Sequence, residues 1–168
     1  MGFFSFLSSL TPQTASDRIV ASSIVSNLSN TELDVAAAIG AEPHLLLKER
    51  ILFRLAFSLS SVGFFHDQQP HPRVRDLHEL LESKAFHYIY SVPGVSGEQA
   101  GQLWARARND YMVKQPSELA GAMMTSIHFS EFRPSSSQAM SAFLQLVHTY
   151  ARESMTQAGE LANKLRNS

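Results

Sequence analysis

The chain has no cysteine. Disulfides, thiolate nucleophiles, iron–sulfur clusters and Cys-ligated zinc are therefore excluded, and the absence fits a cytoplasmic location. Charge is scarce, with 17% Asp, Glu, Lys and Arg. The polar surface must lean on uncharged residues, and the 23 serines supply them. Such a surface buries against a partner more easily than a lysine-rich one, because less charge is desolvated. Net charge is −1, and no run of like charge exceeds two residues. The densest basic pairs are Arg73/Arg75 and Arg106/Arg108. Nucleic-acid binding, which needs a concentrated basic face, is disfavoured.

Long apolar runs are also missing. The most apolar stretch, "ILFRLAFSLSSVGFF" (51–65), is shorter than a membrane span and carries Arg54, which indicates a buried core helix. The N-terminus "MGFFSFLSSL" lacks the positive region of a signal peptide, and Phe6 stands where a myristoylation motif needs Ser or Thr. Phe3, Phe6, Leu7 and Leu10 do follow i, i+3, i+4, i+7 spacing, so residues 1–13 read as an amphipathic terminal segment. It would pack on the core or on a partner. Membrane contact is disfavoured, since no Lys or Arg precedes Arg18 to attract anionic lipid. No GxSxG elbow, P-loop, HExxH or paired ExxH is present.

What is present is helical periodicity. The pattern predicts an all-α, single-domain bundle of about six to seven helices spanning 1–168, with no convincing strand alternation. A second helix is expected at about 15–28, opened by Thr14–Asp17. A third, at about 30–39, has the capping box Ser29-Asn-Thr-Glu32 and the stop Gly40. The fourth, about 43–65, starts at Pro43 and is apolar around most of its circumference, which makes it central. The fifth runs about 73–91, and the sixth about 97–114, capped by Ser96-Gly-Glu-Gln99. The sixth is continued after Pro116 to about 130. The last helix, about 136–166, would be about 45 Å long at 1.5 Å per residue. The first half of its stripe is large. Its second half is small: Ala151, Ser154, Ala158 and Ala162. Small residues admit a close helix, either from the same chain or from a partner or second copy.

Three constellations are candidates for chemistry. The first is "HDQQPHPRVRDLHELLE" (66–82). His78 and Glu82 share one side of the fifth helix at i, i+4, at the edge of its buried stripe, and His66 or His71 would have to fold back to meet them. His66, His71, His78 and Glu82 are thus the candidate ligands for zinc, manganese or iron. Against this, His87 faces the opposite side of the helix, and "DQQPHP" is ordinary turn composition. The second is "VPGVSGEQAG" (92–101), a helix entrance suited to an anion or simply to a cap. The third pairs His148 and Arg152 on the last helix, with His128 and Glu131 near in sequence. Arg54 is the best candidate for a buried functional charge, with Glu49, Asp76 or Glu118 as its counterion.

The resulting expectation is a helical protein–protein interaction module of accessory, adaptor or inhibitor type. It would need no cofactor and would act as a homodimer or with a protein partner. The contact residues would be Phe3, Phe6, Leu7, Ala151, Ser154, Ala158 and Ala162. The alternative is a small-ligand- or metal-binding helical protein, or an enzyme, using the His66–Glu82 region.

Overall fold

The computed structural model describes residues 10–112, 114–127 and 136–168. Those residues form seven helices and no strand: α1 (Pro12–Ser23), α2 (Asn30–Ile39), α3 (Pro43–Gln68), α4 (Pro72–Tyr90), α5 (Gly97–Asp110), α6 (Pro116–Ile127) and α7 (Ser137–Arg166). The protein is an all-helical bundle.

Local sequence explains most helix starts. Thr11, Ser29 and Ser96 each accept a hydrogen bond from the backbone amide three residues on. The side chains of Thr14, Glu32 and Gln99 in turn accept from the cap residue's backbone amide, completing capping boxes. Pro12, Pro43 and Pro72 open α1, α3 and α4, where a missing N–H costs nothing. Gly40 ends α2 at φ +68°, a conformation that disfavours a side chain. Several boundaries differ from the sequence expectation. α1 begins and ends earlier than 15–28, because Thr11–Pro12, rather than Thr14–Asp17, forms its cap. α5 stops at Asp110, and α6 is a helix in its own right.

α3 is the central helix and packs against each of the others. Its Phe53 ring is fully buried, stacks on Phe57 at 5.3 Å, and receives Tyr111 at 5.1 Å and Tyr150 at 6.1 Å. α7 runs parallel to α3, with Glu153 beside Arg54 and Arg166 beside Phe65. Arg166 donates to the Phe65 carbonyl and, at 3.0 Å, to that of Gln69. It thereby ties the end of α7 to the end of α3, where the Phe65 carbonyl also accepts the Gln69 amide.

The small-residue half of α7 is consumed by this packing. Ala151, Ser154, Ala158 and Ala162 are all buried. At Gly159 a Cβ would lie 2.9 Å from the Phe65 ring, so the close approach expected from small residues is made to the chain's own α3. These four residues are therefore not an exposed contact face. Phe3, Phe6 and Leu7, the other expected contact residues, lie outside the described residues.

Candidate functional site

The histidine stretch does not assemble into a ligand set. Among the described residues no group of three or more His, Asp or Glu is placed to hold a metal. His66, at the end of α3, has Nδ1 3.7 Å from Asp67. His71 is the N-cap residue of α4, makes no capping bond, and keeps its Nδ1 buried without a hydrogen-bond partner. His78 lies against Gly63, whose Cβ would sit 3.4 Å from Nε2. Burial lowers the His78 pKa below 6.5; the Glu82 carboxylate opposes that and Arg108 adds to it. Glu82 is itself taken by Arg108 of α5. His78 and Glu82 thus serve helix packing, each with a different neighbour.

The second candidate is a cap. The Ser96 side chain holds the Gln99 amide at 3.2 Å, and Tyr90 covers Gly97, where a Cβ would meet its ring at 3.1 Å. On α7, His148 and Arg152 are both exposed. His128 and Glu131 lie outside the described residues.

The buried chemistry is elsewhere, in two carboxylate–arginine–tyrosine networks anchored on adjacent residues of α3, Glu49 and Arg50. In the first, Glu32 of α2 accepts from Arg50 at 3.0 and 3.2 Å, from the Tyr150 hydroxyl at 2.5 Å, and from Ser29 at 2.7 and 2.8 Å. Burial pushes the Glu32 pKa up, but these donors outweigh it and hold the carboxyl at about 2. Burial and the adjacent Glu32 carboxylate push the Tyr150 hydroxyl well above its ordinary value. Arg50 also donates to the carbonyls of Val25 and, at 3.1 Å, Asn27, so it ties down the connection from α1 to α2.

The second network centres on Glu49. It accepts from Arg106 at 2.8 and 3.0 Å and from Tyr111 at 2.7 Å, while Arg106 also donates to Ser126 of α6. Burial and the Glu49 charge raise the Tyr111 pKa; burial lowers that of Arg106, but Glu49 more than restores it. Glu49 therefore does not serve Arg54, which pairs instead with Glu153 at 2.5 Å and lies 5.1 Å from the Tyr150 ring centroid. Five residues of helix put Glu49 and Arg54 about 140° apart, on different faces. Arg50 was not expected to be the buried charge. Its only sequence signal is its position, one turn before Arg54 on an apolar helix.

Several surface hollows remain, among them two that α3 helps to line. A polar cleft of about 460 Å³ lies over the first network, between α2, α3 and α7, and is lined by Ser29, Thr31, Arg54, Gln145, Thr149 and Glu153 among others. Its charges are matched within the chain. The other hollow, about 390 Å³, is an apolar groove between α3 and the end of α4, closed by α5. Leu47, Ile51, Tyr88, Val92, Val95 and Leu103 form its walls. It adjoins a shallower hollow of about 440 Å³, with which it shares Lys48, Val95 and Leu103.

The fold and these sites define an all-helical bundle with two buried ion-pair networks and one apolar groove. No protein-family model, no curated protein and no solved structure matches the chain. No helix among the described residues is long and apolar enough to cross a membrane.

Proposed function

We propose that the chain is a helical protein–protein interaction module that receives an amphipathic helix of a partner in the groove between α3, α4 and α5. The observation that supports this reading is the groove's composition. Leu47, Ile51, Tyr88, Val95 and Leu103 are only half-buried, and Val92 is 39% exposed at the edge. Adjacent apolar side chains lining a concave groove open to water support a contact role. The floor from His44 to Leu52 covers about two helical turns, or about 12 Å. That suits a helix laid into a groove; strand addition would need a sheet edge, and the described residues contain no strand.

The catalytic alternative has less behind it. The buried carboxylates are saturated by donors, and both buried tyrosines have their protons committed to those carboxylates. A photoreactive residue in place of Val92, in cells producing the protein, tests the reading. The expected result is one defined adduct to another protein, lost on Leu103→Glu. No adduct from position 92, or one indifferent to Leu103→Glu, contradicts it.

A further inference from the structure

We infer that the helix received by this groove is acidic at its flank, and that Lys48 reads that charge; the inference rests on the groove being the docking site. The two adjoining hollows are lined by Lys48, His44 and Arg106, and by no Asp or Glu at all. Arg106 is already neutralised by Glu49. Lys48 is exposed and, like Arg18, Arg152 and Lys164 but unlike Arg106 of the same hollow, has no ion-pair partner among the described residues.

In a chain of net charge −1 with cations and anions interspersed, a free lysine on the wall shared by two carboxylate-free hollows is a local positive edge to an apolar floor. A basic helix would meet uncompensated repulsion there, whereas an acidic one gains a complementary contact. The partner segment then has apolar residues at i, i+3, i+4 and i+7 facing Leu47, Ile51 and Leu103, and a Glu or Asp on the side that meets Lys48. A rim charge of this kind governs association rate and partner choice more than total affinity.

The test uses the full chain and two fluorescent peptides, each held helical by a side-chain staple, since a short isolated helix is marginal in water. Both carry leucines at i, i+3, i+4 and i+7. One is flanked by glutamates and the other by lysines. Fluorescence anisotropy should show the glutamate-flanked peptide binding more tightly, by about fivefold or more. The preference should collapse at about 1 M salt, where the screening length is about 3 Å. Lys48→Glu, an exposed substitution that leaves the core untouched, should reverse it. Leu103→Glu and Val92→Glu should each weaken both peptides at least tenfold, with the circular dichroism spectrum unchanged.

Equal binding of the two peptides, or a preference unmoved by Lys48→Glu, overturns the acidic partner while leaving the groove intact. Failure of both peptides to bind, or binding unaffected by Leu103→Glu and Val92→Glu, overturns the groove itself. Displacement of the glutamate-flanked peptide by laurate at equal concentration overturns the protein partner in favour of a small anionic amphiphile.

Discussion

Tyr150 and Tyr111 each donate a hydrogen bond to a carboxylate that burial has stripped of water, at 2.5 and 2.7 Å. Tyr150→Phe removes a donor and leaves Glu32 partly unsatisfied, so it should destabilise the fold by about 1–2 kcal/mol in urea unfolding. Glu32→Gln breaks the buried pair and strands the Arg50 charge; about 3 kcal/mol or more is expected. The acid limb of stability follows from the same residue. The folded Glu32 pKa of about 2 lies below its ordinary value of 4.5. Its contribution is therefore complete above pH 4.5 and is lost as pH falls toward 2. His78, depressed by burial below 6.5, acts in the same direction at higher pH: its contribution is complete above 6.5 and fades on acidification. Unfolding midpoints should fall progressively from pH 7 to pH 3. Tyr150→Phe should raise the folded Glu32 pKa toward 4.5 and so shrink the loss below pH 4.5, and His78→Asn should flatten the portion just below neutrality.

At the scale of helices, α7 carries a clear expectation. Ala158 and Ala162 are fully buried in the chain's own core, so Ala158→Leu should overpack it. A thermal midpoint lowered by the equivalent of about 1–3 kcal/mol is expected, with the solution mass unchanged. A change of oligomeric state without loss of stability would restore the intermolecular role that the small residues suggested. The spacing of small residues says that something packs closely; it does not say what, because the neighbour is set by tertiary arrangement. Phe65, ninety-four positions earlier in the chain, fills that place.

The same limit governs the rest of what could be read from sequence. Helix starts at Ser29, Pro43 and Ser96, and the stop at Gly40, were legible because capping chemistry is local. The central, apolar character of α3 was legible from its circumference. The Glu32–Arg50 and Glu49–Arg106 pairs were not, since nothing local joins residues brought together by helices crossing. The groove was hidden for a related reason. Ile51, Tyr88 and Leu103 read as core on their own helices, and only the placement of α5 leaves them half-covered.

For the whole molecule, the two networks, the polar cleft and the apolar groove divide the labour. Arg50 and Arg106 fasten α2, α6 and the connection at 24–29 to α3, and each is neutralised by a buried glutamate. The polar cleft above Tyr150 is electrically matched by Arg54 and Glu153. The apolar groove combines an open hydrophobic floor with Lys48, which has no ion-pair partner among the described residues. Methyl-resolved NMR of the full chain, titrated with the glutamate-flanked leucine helix, tests this division directly. The account predicts shifts at Leu47, Ile51, Val92, Val95 and Leu103, with Val25, Leu146 and Thr149 around the polar cleft unmoved. Shifts confined to the polar-cleft residues, with the groove methyls unchanged, would contradict it.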